Sequence, residues 1–155
     1  TTPPRFSGCC RIPLRMEHRM DPERALELLQ HTRQIAADRD VNATVAIHDA
    51  YGHPVALLRG KRWHGPYMAM GKARLSAAFA KSTADLIEQW RDRPLFPNSL
   101  VEIIPGGVTV NPGGVPLFED GECIGAIGVG GSSPDVDHQI ASEAVATFGL
   151  AKESD

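Results

Sequence analysis

Cysteine is scarce in this chain, and it is badly placed for cross-linking. Of the three cysteines, Cys9 and Cys10 are neighbours and Cys123 stands alone on an expected strand. Neighbouring cysteines rarely bridge each other, and no spaced Cys pairs of the zinc-binding kind occur. Cys123 therefore reads as a small core hydrophobe. Long apolar runs are missing too. No stretch approaches the roughly 20 residues of a membrane span, and Thr1-Thr2-Pro3-Pro4-Arg5-Phe6 lacks the apolar centre of a signal peptide, so a cytoplasmic location with no membrane partner is expected. An excess of positive charge is also lacking. The net charge of -3 argues against nucleic acid as a partner, although basic residues cluster from Arg5 to Arg19 and at Arg59, Lys61 and Arg62. No His-Glu-x-x-His or comparable spacing supports a metal site. No Gly-Lys-Ser/Thr follows the glycines, which excludes a P-loop. Internal repeats and regular strand–helix alternation are absent, so a doubly wound nucleotide fold is not expected.

What is present is an ordinary single-domain composition: 155 residues, 42% hydrophobic and 23% charged, enough for one core. Residues 1–20 carry Pro and Arg without periodicity and read as a flexible arm, 21–150 as the domain, and 151–155 as a tail. Asp21-Pro22-Glu23 opens a helix with an N-cap, a first-turn proline and an acid. Ala25, Leu28, Leu29, Thr32, Ile35 and Ala36 give it one apolar face, to about Arg39. The β-rich run 41–48 turns at Asp49-Ala50-Tyr51-Gly52 into a returning strand, 54–59. A loop at 60–66 leads to a helix over 67–81 whose Met70, Ala73, Ala77 and Ala80 form a small-residue face. Ser82-Thr83-Ala84-Asp85 restarts a short helix to Trp90. Two strands are expected at 100–104 and 108–110, then a glycine-rich hairpin, then a helix from about Asp135 with Ile140, Ala141, Ala144, Val145 and Phe148 inward. Sequential strands on short turns predict an α+β fold around an antiparallel sheet.

Nine of the 15 glycines lie between Gly106 and Gly131. Glycine within strands is costly and marks close approach of a ligand or of another backbone. Gly114 is read as a loop glycine of positive φ.

Four segments carry a family resemblance: Val45-Ala46-Ile47-His48-Asp49-Ala50-Tyr51-Gly52, Lys72-Ala73-Arg74-Leu75-Ser76-Ala77-Ala78-Phe79, the run from Gly113 to Gly131, and Asp137-His138-Gln139-Ile140-Ala141. In this order, over roughly 21–150, the chain resembles the haem-binding GlcG/HbpS-like family, which includes the C-terminal domain of PduO. The resemblance implies a profilin-like α/β/α sandwich around a central antiparallel sheet, assembly into homo-oligomers, and a pocket for haem or another planar metabolite. Two positions depart from the family pattern. The acid of its Arg-x-Asp-Gly stretch is His64 here, and the serine of its Gly-Val-Ser-Gly segment is Gly130.

The candidate site residues follow from chemistry. His64, between Trp63 and Gly65-Pro66 at the mouth of a helix, could act as an acid/base group near neutral pH or as an axial haem ligand. Lys72 matches the family's Lys-Ala pair and can carry a buried stem with its amine at a pocket. Arg59 and Arg62 suit a carboxylate, and Arg59 and Trp63 are each read as ligand-binding. Gly113 and Gly114 offer backbone amides to an anion or enolate, and Val115 beside them is read as ligand-binding. His138 could face the Gly130-Gly131 loop. Glu102 is taken as the wet face of a strand, and His48 and His53 as bracketing a hairpin turn. Two function classes follow: a binding protein for haem or another planar metabolite, and a cofactor-free isomerase, hydratase or lyase in which His64 moves the proton. A purely structural oligomer is a third.

Overall fold

A computed structural model describes residues 20–152. The expected arm, with Cys9, Cys10 and His18, lies outside the described residues except for Met20, which sits in the core at 4% exposure. Five helices and a four-stranded antiparallel sheet make up the described chain: α1 (Pro22–Ala37), β1 (Thr44–Asp49), β2 (Pro54–Leu58), α2 (Gly65–Phe79), α3 (Thr83–Gln89), α4 (Leu95–Ile103), β3 (Gly114–Glu119), β4 (Glu122–Gly130) and α5 (Pro134–Phe148). The strands lie in the order β2-β1-β4-β3. Both hairpins are direct, and β1 pairs with β4 to join them in the middle.

The alternation of a strand sorts residues to two faces. Val45 and Ile47 of β1, Ile127 and Val129 of β4 and Leu117 of β3 join Leu28, Leu29, Ile140, Ala144 and Val145 in the main core under α1 and α5. The opposite face is built of small residues, Ala46 opposite Gly128 and Gly114 opposite Gly128 on the other side. Helix α2 lies directly on it. A Cβ on Gly128 would run into the carbonyl oxygen of Ala69 and meet the Ala73 nitrogen at 2.8 Å. A Cβ on Gly114 would strike the Lys72 carbonyl oxygen and the Thr83 methyl at 2.7 Å. Gly114 and Gly128 are thus explained by a helix packed backbone against backbone, and Gly125 by the close approach of β1 at the His48 carbonyl. Of the small-residue face expected over 67–81, Ala73 and Ala77 are buried within the protomer and Met70 and Ala80 are half-buried.

Helix starts follow the sequence. Asp21 caps α1 through the Glu23 and Arg24 amides, Ser82 caps α3 through Asp85, and Ser133 caps α5 through Val136. The segment 95–110 departs from expectation. It forms helix α4 and an irregular stretch at 108–110, with no strand. Pro97 falls in the first turn of α4, where its missing N–H removes no helical bond. Phe96, Leu100 and Ile104 recur every four residues and pack on Trp90, Leu75, Leu86 and Val108 in a second core outside α2. Glu102 is exposed, on a helix rather than a strand. No helix among the described residues is long and apolar enough to cross a membrane.

Candidate functional site

The loop before α2 is tied down from both sides. The Gly60 amide donates to Thr44 Oγ1 at 2.8 Å. The Gly65 amide donates to the Arg62 carbonyl at 3.0 Å, and Met68 closes the first helical bond onto His64 at 3.2 Å. His64 occupies the N-cap position of α2, yet its side chain makes no capping bond. Trp63 is 77% exposed and stands edge-on to both His64 and Tyr67, at centroid distances of 5.5 and 6.4 Å.

Seven residues into α2, Lys72 is almost fully buried. Its ammonium donates to the Val129 carbonyl and to Asp137 Oδ2, both at 2.9 Å. Asp137 lies in the first turn of α5 and accepts the Ser132 amide on Oδ1 at 2.9 Å. One ion pair therefore binds α2, β4 and α5 together at the end of the sheet. Gly113, at φ +122°, makes room for it: a Cβ there would stand 3.0 Å from Lys72 Nζ and 3.1 Å from Asp137 Cβ.

Beside this pair is a cavity of about 200 Å³, lined by Arg62, His64, Met68, Lys72, Asn111, Asp137 and residues 130–132. His64 and Lys72 thus share one cavity, with Gly113 packed behind it. The other expected residues lie elsewhere. Arg59 is exposed and does not line the cavity; Arg62 does. Gly114 is not a positive-φ loop glycine but a strand residue, and its amide already donates to Thr83 Oγ1 at 3.0 Å. Val115 lines a separate groove of about 390 Å³ with Phe79, Pro116, Phe118 and Val145. His138 does not line the His64 cavity. Its Nε2 lies 3.4 Å from Ser142 Oγ, and its Nδ1 is buried without a partner. Asn111, Ser132 and Asp137 escaped sequence reasoning. Asp137 was hidden because an acid in a helix's first turn is accounted for by the helix dipole alone.

Two further groups are perturbed. His48 is fully buried on β1. Its Nδ1 must donate to the Gly52 carbonyl, 2.8 Å away, which leaves Nε2 as a buried acceptor without a partner. Burial holds its pKa below the ordinary histidine value. This residue and Asp49, which accepts the Tyr51 and His53 amides, organise the β1–β2 turn. Burial pushes the Cys123 thiol up, so it is a poor nucleophile. A third cavity, about 410 Å³, opens beside Tyr67, Met70, Arg74 and 106–109.

Residues 20–146 match the family model described as haem-degrading protein HbpS-like. No curated protein matches the chain at a significant level. Among solved structures, a double mutant of HbpS from Streptomyces reticuli is 25% identical with a TM-score of 0.74, over 83% of this chain and 86% of that one. PduOC in complex with haem is 24% identical with a TM-score of 0.76, over 88% and 99%. The Klebsiella pneumoniae protein ORFY is 18% identical with a TM-score of 0.74, over 86% and 92%. The last two likenesses bear on the fold.

Proposed function

Because this chain belongs to the haem-degrading HbpS-like family, we propose that it binds haem or a related planar small molecule. The family match over 20–146 carries the reading, and PduOC, of the same fold, has been solved with haem. The His64 cavity is too small for that ligand. At about 200 Å³ it falls below the roughly 300–1,000 Å³ of sites for drug-sized molecules, and a tetrapyrrole is larger than most of those. The surface above it suits a planar ring better. Trp63 and Tyr67, 77% and 71% exposed, present aromatic faces beside His64, next to the 410 Å³ cleft lined by Tyr67 and Met70. His64 would ligate the iron, and Arg59 and Lys61 would meet the propionates. Haem, when bound, supplies the iron chemistry. Exposed aromatic area of this kind also supports assembly into a homo-oligomer, which light scattering at micromolar concentration measures. The test of binding is a haemin titration followed at the Soret band. Saturation near one haem per chain is expected, and His64→Gln should abolish the shift of the band. A wild-type protein that leaves the haemin spectrum unchanged refutes the reading.

A second reading has its own observation, the convergence of His64 and the buried Lys72–Asp137 pair on one cavity. In it the chain is a cofactor-free isomerase, hydratase or lyase. His64 moves the proton, and Arg62 with Lys72 holds the anion in place of the Gly114 amide, which Thr83 occupies. His64→Gln would then lower turnover by about 10²–10⁴-fold with substrate binding kept.

A further inference from the structure

The His64 cavity has a size and a charge, and together they select a ligand class. Its lining includes Arg62 and Lys72 as cations and Asp137 as an anion, so with His64 neutral the wall carries one net positive charge. Lys72 uses two of its three N–H groups, on Val129 and Asp137; among the described residues no acceptor takes the third, and the residue lines the cavity. The ammonium cannot turn away to water, because its side chain is 2% exposed. Among the described residues, no hydrogen bond engages the side chains of Arg62, His64 or Asn111, although all three border the same space. These are a fork of donors, a ring that can donate or accept, and an amide that can do both. The cavity also lies where α2 and α5, each 15 residues long, begin, so two helix dipoles add positive potential to that of the side chains. At about 30 Å³ per water in the liquid, 200 Å³ corresponds to roughly seven waters.

We propose that this cavity is a binding site for a small monoanionic carboxylate of about two to four carbons, held by Arg62 and the third proton of Lys72, with a hydroxyl or carbonyl oxygen turned to His64 and Asn111. The proposal rests on the second reading above for its place and names the substrate class that reading lacks. The site shares His64 with the proposed haem surface and adds Arg62, Lys72 and Asn111, which that surface does not use. Asp137 sets the charge selectivity. It neutralises one cation, so a second anionic group on the ligand would face a carboxylate without compensation.

The experiment is isothermal titration of the full chain with sodium acetate, lactate and pyruvate, with acetamide, citrate and inorganic phosphate as contrasts. Lactate or pyruvate should bind saturably in the millimolar range or tighter, at least tenfold better than acetamide or citrate. Arg62→Met should weaken that binding at least tenfold. Because Arg62 is exposed, the variant should unfold at the wild-type temperature. A haemin titration of wild type and Arg62→Met separates the readings: Arg62 has no part in the haem reading, so the Soret response should be the same in both proteins while lactate affinity falls in the variant. Four results overturn it: no saturable carboxylate binding up to 50 mM, equal binding of acetamide, tighter binding of phosphate than of any monocarboxylate, or unchanged affinity in Arg62→Met. Turnover is not needed for the proposal to hold, so failure of His64→Gln to alter catalysis would sink the second reading and leave the site standing.

Discussion

Removing one half of the Lys72–Asp137 pair should cost far more than removing both. The side chains are 2% and 3% exposed, so neither charge can recover its hydration when the other is gone. Deleting one partner of such a pair typically costs about 3–5 kcal/mol, while replacing both by apolar groups is often close to neutral. Asp137→Leu would leave a buried ammonium with only the Val129 carbonyl, and should approach the upper figure. Lys72→Met leaves the carboxylate with the Ser132 amide and should sit near the lower one. Against a total stability of about 5–15 kcal/mol, each single change would remove a large share. In Lys72→Met with Asp137→Leu, only the Ser132 amide and the Val129 carbonyl lose partners. Each was a single hydrogen bond worth about 1 kcal/mol, so the double variant should lose about 2 kcal/mol. Urea unfolding followed by circular dichroism gives the three values, with the m-value checked for constancy. The cycle should return a coupling of several kcal/mol. Additive single effects, or single effects below about 1 kcal/mol, would refute the claim that this pair bonds three elements in a dry setting.

Three other outcomes follow. Gly128→Ala should cost about 3 kcal/mol in thermal unfolding, at the top of the usual range for overpacking, because its Cβ meets the backbone of α2 and not a movable side chain. Gly114→Val should likewise unfold the protein before it reports on any ligand, and a stable Gly114→Val would contradict the close contact with Lys72 and Thr83. His48 should make stability fall in mild acid. Its folded pKa is depressed by burial, so above the unfolded value near 6.5 the ring is neutral in both states. As pH falls below that value, protons bind the unfolded chain first, and stability is lost progressively until the lower folded pKa is passed. His48→Leu should flatten this part of the pH profile. At pH 8 its cost should be only about 1 kcal/mol for the Gly52 hydrogen bond, and a profile as steep as wild type would assign the acid sensitivity elsewhere.

How much of this was legible depends on what each residue's local pattern encodes. The capping residues Asp21 and Ser82 and the turn at Asp49–Gly52 announce themselves within a few positions, and the elements they bound were found. The segment 95–110 was misread because Pro94 and Pro97 look like breakers and Leu100–Ile104 is apolar enough for a strand. Its helical register emerges only when Phe96, Leu100 and Ile104 have Trp90 to pack against. In the site, His64 is marked by its loop place before a helix and Lys72 by its match to the family's Lys-Ala pair, and both line one cavity. Arg62 and Arg59 are chemically equal in sequence. They are separated by the Gly60–Thr44 bond and the Arg62–Gly65 turn, which aim the loop. Glycines in strands mark close approach, as Gly114 and Gly128 do here, but the pattern is the same whether a helix or a ligand does the approaching.

The contact between α2 and the sheet also decides where this molecule can be redesigned. Where Gly128 and Gly114 meet the backbone of α2, there are no side chains to trade for one another, so the contact admits almost no compensating pairs of changes. New specificity must therefore come from the rim, at Arg62, His64, Asn111 and Ser132, whose side chains can be exchanged without altering how the helix seats. A library confined to those four positions would sample different ligands on an unchanged chassis, whereas one that included the glycines would mostly sample unfolded proteins.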